Sequence, residues 1–287
     1  MRFAFMGRHV GEFQVAAMCR ALKVSRSGYY AFRTRPQSSR ASENRRLAVV
    51  IGEIERLVKH VYGSPRVHQE LQARGERISR KRVARLMRHN GIQVRFRRRF
   101  RVTTQSNPGH AVAPNVLNRK FRPSGPNQAW AGDITYVWTR EGWLYLAVVI
   151  DLYSRMVVGW AVSERLHRKI VIDAVQMALG RRTAGGSLIH HSDRGCQYTS
   201  AEFRTLLCQN QMTASMSRRG NCWDNAVSES FFSSMKVELE NYGAYETRRQ
   251  AREEIFEYIE LFFNGQRRHS TLGYLSPREF ESRGTAA

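Results

Sequence analysis

Three acidic side chains in this sequence stand where predicted strands and helices could hold them for metal chemistry. Asp193 follows an apolar run at residues 187–189 that predicts a short buried strand, and Glu229 lies in a stretch predicted to be helical. Asp133 lies in residues 130–138, where aromatic and β-branched residues predict another strand. Hard divalent cations favour carboxylate oxygens, and two such ions can activate an attacking oxygen while stabilising the leaving one. The three acids therefore suggest the hypothesis that this chain cuts and joins phosphodiester bonds of DNA.

Each acid taken alone also has a structural explanation. Asp133 could be a strand-edge residue, and Asp193 could cap a turn or a helix. Asp151 ends the second predicted strand, and we assign it a structural role or a position behind the metal ligands. Asp224 is interpreted as the cap of the helix that carries Glu229. The case for catalysis therefore depends on Asp133, Asp193 and Glu229 acting together.

The elements that must position these acids fill the second half of the chain. Strands predicted at residues 133–138, 142–151 and 156–162 are separated by short turns, which favours an antiparallel meander. A helix at 167–179, a strand at 187–190, a helix at 200–209, a strand at 213–216 and a helix at 225–242 follow. This order predicts an α/β domain with a mixed five-stranded sheet flanked by helices. A further amphipathic helix is predicted at 247–263 and a short terminal helix after Pro277.

The charge of the chain is concentrated in its first half. The sequence of 287 residues carries 47 Lys and Arg against 24 Asp and Glu, a net charge of +23. Residues 1–125 account for a net +22, whereas residues 126–287 account for +1. A surplus of this size indicates a polyanionic partner such as nucleic acid or an anionic membrane surface.

The basic half divides into two predicted helical regions. Residues 1–42 contain a helix, a tight turn and a second helix between residues 12 and 32, an outline equally typical of helix-turn-helix domains and of an ordinary helical hairpin. Residues 43–102 are predicted to form a basic, helical, helix-turn-helix-like DNA-binding domain. It contains an amphipathic helix at 44–60 and a capped cationic helix that starts after Ser79 and ends at Asn90-Gly91. An arginine- and phenylalanine-rich segment follows it. The residues predicted to bind DNA phosphates in this region are Arg80, Lys81, Arg82, Arg85, Arg88, Arg95, Arg97, Arg98, Arg99 and Arg101.

Residues 103–122 lose this periodicity and are predicted to be a linker. The domain that follows covers residues 123–287, with its α/β core at about 126–242 and a helical tail at 243–287.

No apolar run long enough for a membrane span and no signal-peptide pattern is present, so we expect a cytoplasmic protein without membrane contact. The four cysteines are scattered without zinc spacing, which favours reduced thiols.

Several long motifs resemble one protein family. The acids Asp133, Asp193 and Glu229, with 35 residues between the last two, are similar to the Asp-Asp-Glu triad of the retroviral-integrase superfamily. The surrounding sequences resemble OrfB-type transposases of copy-out, paste-in bacterial insertion sequences, and the likeness covers nearly the whole chain. The motifs that carry it are residues 62–63, 80–83, 132–136, 191–198, 220–226 and 268–277.

This resemblance implies an RNase H-like catalytic core that binds two Mg²⁺ or Mn²⁺ ions through the three acids. Water would be the nucleophile in strand cleavage and a DNA 3′-hydroxyl in strand joining. The partners implied are double-stranded DNA at element ends and target, a homodimer or higher synaptic complex, and an upstream-frame OrfA product. A bacterial chain of this kind would be nucleoid-associated.

Two further side chains are candidates for the site. Lys236 follows Glu229 by seven residues and returns to nearly the same helix face, so it could touch DNA beside the metals or simply face solvent. His191 is expected to support the metal ligands or contact substrate without binding metal itself. The tryptophans at 130, 138, 143 and 160 are interpreted as core or interface residues.

Two other functions compete with DNA cleavage and strand transfer. The first is a DNA-binding regulator whose catalytic domain is inactive, against which the intact acid triad counts. The second is an RNase H-type nuclease that does not join strands, against which the long basic region counts. Metal-dependent cleavage and strand-transfer products would separate the three.

Overall fold

The computed structural model describes residues 2–34, 38–94, 112–183, 187–219, 221–239 and 244–284. Five of the predicted DNA-binding residues lie outside the described residues: Arg95, Arg97, Arg98, Arg99 and Arg101. No helix in the part of the chain that the structure describes is both long and apolar enough to cross a membrane.

Three short helices open the chain: α1 (Arg2–Arg8), α2 (Val15–Ala21) and α3 (Arg26–Thr34). The two predicted helices are α2 and α3, and Lys23 turns the chain between them with a φ of +52°. The sequence patterns did not indicate α1. It contributes Met6 to a small apolar core shared with Met18, Cys19 and Tyr29.

The second helical region contains α4 (Ser39–Leu57), α5 (Ser64–Ala73) and α6 (Arg80–His89). The hydroxyl of Ser79 accepts the N–H of Arg82, which confirms the predicted cap of α6. Gly91, with a φ of +67°, follows the end of this helix in the left-handed conformation that glycine adopts without steric cost. The three helices bury a common core that includes Leu47, Ile51, Ile54, Val67, Leu71 and Val83.

The remaining chain is built on five strands: β1 (Ala129–Thr139), β2 (Gly142–Asp151), β3 (Val157–Ser163), β4 (Ile189–Ser192) and β5 (Thr213–Met216). Their order in the sheet is β3-β2-β1-β4-β5. The pairs β1–β2 and β2–β3 are antiparallel, as the meander prediction requires, whereas β1–β4 and β4–β5 are parallel. The mixed five-stranded sheet is thereby confirmed.

Helices cover both faces of the sheet. One face packs against α7 (Lys169–Arg181) and α8 (Ala201–Gln209), and the other against α9 (Ala226–Glu238) and α10 (Arg248–Phe256). A π-helical turn (Glu257–Phe263) continues α10, and α11 (Pro277–Gly284) is the last helix. Several predicted boundaries were wrong: β1 starts at Ala129 instead of 133, α4 covers Ser39–Leu57 instead of 44–60, α7 and β4 each lie two residues later than predicted, and α9 ends at Glu238 instead of 242.

Candidate active site

The sheet topology brings two of the three predicted acids to one place. Strand β1 pairs with β4 from Ala129 to Ala131. Asp133 therefore lies two residues beyond the point where β1 separates from β4. Asp193 is the residue directly after the end of β4. Because β1 and β4 are parallel, both acids leave the paired part of the sheet in the same direction. Glu229 lies in the first turn of α9, which packs against β1.

Backbone groups orient the two aspartates. The Oδ1 atom of Asp133 accepts the N–H of Ile134 at 2.8 Å, and the Oδ1 atom of Asp193 accepts the N–H of Gly195 at 2.9 Å. Each of these bonds fixes one carboxylate oxygen close to its own backbone. A carboxylate with one oxygen held in this way keeps the capacity to bind a cation through the other.

The three acids interact through their charges. Burial raises the pKa of Asp133 well above its ordinary value, and the charges of Asp193 and Glu229 raise it further, while Lys236 opposes the shift. Burial also raises the pKa of Asp193 and of Glu229. Negative charges held close together in a poorly solvated place are stabilised by a bound cation. The donor set and its electrostatics therefore fit hard divalent metal ions.

The acids are not gathered around a single point. Among the residues that the structure describes, no three His, Cys, Asp or Glu side chains stand close enough to hold one metal ion.

Lys236 lies on the same helix as Glu229 and close enough to Asp133 for their charges to interact. Its Nζ atom lies 5.4 Å from the centre of the Tyr136 ring, and its charge acts on Asp133. Burial lowers the pKa of Lys236, while the charge of Asp133 raises it. A cation in this position can compensate part of the negative charge of the acids and can meet a phosphate that approaches them.

The sequence patterns did not single out Tyr198, which lies beside the acids. Burial raises the pKa of Tyr198 well above its ordinary value, and the charges of Asp133 and Asp193 add to the shift. The ring belongs to an aromatic group with His190 and Phe203. Its position in the motif at 191–198, five residues after Asp193, was the signal that could have indicated it. Tyr198 is therefore a buried neighbour of Asp133 and Asp193.

The predicted role of Asp224 as a helix cap was wrong. The residue at the N-cap of α9 is Asn225, whose side chain makes no capping bond. Asp224 is fully buried and accepts hydrogen bonds from Arg119, Arg218 and Asn115 at 2.8 to 2.9 Å. Hydrogen bonding from Arg218 above all holds its pKa well below the ordinary value. Asp224 therefore joins the segment before β1 to the segment before α9.

The ring of His191 contacts residues on and after β5. Its Nδ1 and Nε2 atoms lie 2.9 Å and 3.2 Å from the hydroxyls of Ser215 and Ser217, so both ring nitrogens are engaged on the β5 side. Burial lowers the pKa of His191 to about 4. The expected role of His191 in supporting the metal ligands or contacting substrate stays a prediction. Asp151 has the structural role that we assigned to it, since it accepts the N–H groups of three residues: Asn127, Tyr153 and Ser154.

The cationic face of α6 is largely available to a ligand. Arg80, Lys81, Arg85 and Arg88 are exposed, while Val83, Leu86 and Met87 face the core. The guanidinium of Arg82, also predicted to bind DNA phosphates, donates to Glu43 at 2.7 Å and to Asn44 at 2.8 and 3.0 Å. Arg82 connects α6 to the start of α4, and its charge is partly neutralised.

The four tryptophans of the strand region differ in exposure. Trp130 and Trp160 are buried, whereas Trp138 and Trp143 are exposed and pack edge-on against each other.

Comparisons with known proteins agree with this architecture. Models of the integrase core domain match residues 123–222 and 210–277, and a model of an HTH-like domain matches residues 42–100. Transposase InsF of insertion sequence IS3A from Escherichia coli strain K12 is 44% identical over 289 residues, which covers 100% of both chains. The 31 kDa protein of insertion element IS600 from Shigella sonnei is 42% identical over 266 residues, covering 93% of this chain and 98% of its own. The catalytic core of BIV integrase covers 56% of this chain and 97% of its own, with 21% identity and a TM-score of 0.43.

The sheet topology and the family models define an integrase-core enzyme, a polynucleotidyl transferase that acts on DNA. Enzymes with this core depend on divalent metal ions. The 44% identity to transposase InsF over the full length of both chains shows the family within this class of enzyme. The chain belongs to the family of InsF-type transposases of IS3-like insertion sequences, which confirms the resemblance, the α/β fold and the transposase function predicted from the sequence.

Proposed function

We propose that Asp133, Asp193 and Glu229 are the catalytic residues of this transposase and that they hold two Mg²⁺ or Mn²⁺ ions. The observation that carries the proposal is the placement of the acids: Asp133 and Asp193 leave the parallel pair β1–β4 in the same direction, and α9, which carries Glu229, packs against β1. Two ions would stabilise charge on both the attacking and the leaving oxygen of a phosphodiester. The protein would contribute three carboxylates, from β1, from the end of β4 and from α9.

Other side chains would bind and orient the DNA. Lys236 lies beside Asp133 and would contact a phosphate next to the scissile bond. The exposed cations of α6 would contact phosphates of the element end: Arg80, Lys81, Arg85 and Arg88. Because these contacts are electrostatic, binding should weaken steeply as the salt concentration rises. We also propose that a homodimer or larger synaptic complex joins two element ends, that an upstream-frame OrfA product contributes further contacts, and that the protein associates with the bacterial nucleoid.

A cleavage assay on DNA tests the catalytic assignment. The substrate is a duplex that carries the terminal inverted repeat flanking the gene, with Mg²⁺ or Mn²⁺ added. We expect Asp193→Asn and Glu229→Gln to lower the rates of cleavage and strand transfer on the order of 10³-fold or more, because the charges that hold the ions are lost. Asp173→Asn is the matched control, since Asp173 lies on α7 and pairs with Lys169.

Each outcome of this assay decides between the functions considered. Equal cleavage by wild type and Asp193→Asn contradicts the catalytic assignment. No cleavage by either, with DNA binding retained, favours a regulator with an inactive catalytic domain. Cleavage without any strand-transfer product favours a nuclease, which hydrolysis of an RNA–DNA hybrid would identify further.

A further inference from the structure

A cavity of about 330 Å³ lies between α5, α9 and the segment that follows the π-helical turn. Three guanidinium groups line it: Arg66 from α5, Arg155 from the turn between β2 and β3, and Arg267 from the tail. Hydroxyl-bearing residues also line it: Ser230, Ser234, Ser270 and Thr271. The tail part of this wall belongs to the motif at 268–277, to which the catalytic mechanism assigns no role.

The cavity has more cationic groups than anionic ones. Glu238 pairs with Arg267 through two contacts of 2.6 Å, and the same carboxylate lies 3.7 Å from Arg66. The charge of Asp151 acts on Arg155, but the hydrogen bonds of this aspartate go to backbone N–H groups. The carboxylate of Glu238 is therefore the direct ion-pair partner of two of the three guanidinium groups, those of Arg267 and Arg66. Burying a cation away from water costs free energy unless an anion lies close to it.

Two of the arginines retain hydrogen-bonding capacity. Arg155 donates from Nη2 to the carbonyl oxygen of Phe121 at 2.8 Å, whereas its Nη1 atom is buried and has no acceptor in the part of the chain that the structure describes. Arg66 is three-quarters buried, and beyond its approach to Glu238 it stacks over the Tyr62 ring at 5.5 Å. An unsatisfied buried donor of this kind is costly and indicates a missing acceptor.

The tail histidine adds to the same preference. Arg267 Nη1 lies 3.2 Å from His269 Nε2, and because a guanidinium only donates, Nε2 must accept and the ring proton must lie on Nδ1. Burial and the charges of Arg267, Arg66 and Arg155 lower the pKa of His269, which keeps the ring neutral. The charges of all three arginines therefore reach the His269 ring. This part of the cavity disfavours a further cation and favours an anion.

We propose that this cavity binds a phosphodiester group of DNA. Guanidinium groups match the oxygens of a phosphate with paired N–H donors, and serine and threonine hydroxyls are its usual additional donors. The first residues of α9, Ala226 and Val227, also line the cavity, so the positive end of the helix dipole faces it.

The cavity adjoins the catalytic helix, because Ser230 follows Glu229 directly on α9. It also joins the helical region to the integrase core, since Arg66 comes from α5 and Arg155 from the core. A phosphate bound here would fix DNA relative to both domains at once. The proposal rests on DNA as the substrate of the transposase, but not on the identity of the three catalytic acids.

The salt dependence of DNA binding tests the proposal in the full-length chain. Binding of a fluorescent duplex is measured by anisotropy at several salt concentrations without divalent metal, so that catalysis plays no part. For each lost phosphate contact, the slope of log binding constant against log salt should become shallower by about 0.9. We expect this change in Arg66→Gln and in Arg155→Gln. Arg249→Gln, at an exposed position on α10, should leave the slope unchanged.

Two controls make the outcome decisive. Circular dichroism checks that each variant is folded, and if Arg155→Gln is not, Arg66→Gln still carries the test because the Arg66 side chain is one-quarter exposed. Equal slopes for wild type, Arg66→Gln and Arg155→Gln would overturn the proposal. Inorganic phosphate, compared with chloride at the same ionic strength, distinguishes the source of the anion. A phosphate-dependent rise in Tm that both variants abolish, together with unchanged DNA slopes, would assign the cavity to free phosphate and overturn its assignment to DNA.

Discussion

Arg267 and Glu238 form a two-point ion pair in which both nitrogen–oxygen distances are 2.6 Å and the side chains are only 4% and 6% exposed. Tyr258 donates a further hydrogen bond to the same carboxylate at 2.8 Å. Because Glu238 ends α9 and Arg267 lies in the tail, the pair connects the catalytic helix to the segment that follows the π-helical turn.

Removing one partner of this pair should strongly destabilise the fold. Glu238→Ala leaves the Arg267 guanidinium buried without its carboxylate, and we expect the free energy of unfolding to fall by about 3–5 kcal/mol. Urea denaturation followed by circular dichroism measures it. Glu253→Ala is the control, since Glu253 and its partner Arg249 are 69% and 86% exposed and 4.0 Å apart, and it should cost at most about 0.5 kcal/mol. Similar losses in both variants would show that the buried pair has no special role.

Lys236 should set the lower pH limit of the reaction. Its charge lowers the pKa of Asp133, against the upward shift caused by burial and by Asp193 and Glu229. In Lys236→Gln the pKa of Asp133 therefore rises, the carboxylate is protonated at a higher pH, and the acidic limb of the pH–rate profile should move to higher pH. Cleavage rates at saturating Mn²⁺ between pH 5 and 9 measure this. Lys169→Gln, on exposed α7 surface, should leave the limb in place; an unshifted limb in Lys236→Gln would contradict the prediction.

Glu55 is a buried acid that should destabilise the protein at alkaline pH. It is fully buried in α4, neither carboxylate oxygen has a hydrogen-bond partner in the described chain, and burial raises its pKa to about 7. Between pH 4.5 and 7 the folded state keeps a proton that the unfolded state releases, so stability contributed by this group falls as pH rises through that window. Glu55→Gln should therefore stabilise the fold at pH 8, on the order of 1–3 kcal/mol.

The gain from Glu55→Gln should shrink at pH 5, where the folded protein carries the neutral acid in any case. Urea denaturation at the two pH values measures the difference. The exposed neighbour Glu53 provides the control, and Glu53→Gln should change stability little at either pH. A gain that is the same at pH 5 and pH 8 would exclude ionisation of Glu55 as its cause.

Gly159 allows α7 to approach β3 closely. A Cβ atom at this position would overlap the carbonyl oxygen of Ala174 and lie 2.7 Å from the nitrogen of Ala178, both backbone atoms of a buried helix. Gly159→Ala should therefore cost about 1–3 kcal/mol or more, because the helix must shift. Gly52→Ala in α4 is the opposite case, since nothing lies within 4 Å of its Cβ, and it should stabilise by roughly 0.5–1 kcal/mol. Thermal unfolding of both variants tests the pair, and equal losses would contradict the close-packing explanation.

Local patterns in the sequence predicted most of the elements and their order. The meander of β1, β2 and β3 followed from aromatic and β-branched runs separated by short turns, and the cap at Ser79 followed from its position before a helical pattern. These signals are local, because strand period and helix capping depend on neighbours a few residues away. The end of α9 was placed too far along, since continued helical pattern does not show where tertiary contacts stop supporting a helix.

Side chains with partners distant in sequence were the hardest to interpret from the sequence. Asp224 was interpreted as a cap, but besides Arg218 it binds Asn115 and Arg119, which lie 109 and 105 residues away. Arg82 was predicted to bind DNA, and the structure adds a contact with Asn44, 38 residues earlier. A local pattern contains no information on which cation meets which carboxylate across the fold.

The sequence by itself determined the family, the three candidate acids with their spacing and the concentration of positive charge in the first half, because residue type and spacing encode these directly. Tertiary structure alone decided how the charges combine. It brought Asp133 within reach of the charges of Asp193 and Glu229, paired Arg82 with Glu43 and enclosed Arg66, Arg155 and Arg267 around one cavity. Coulomb interaction depends on distance and burial in space, and only the folded chain sets both.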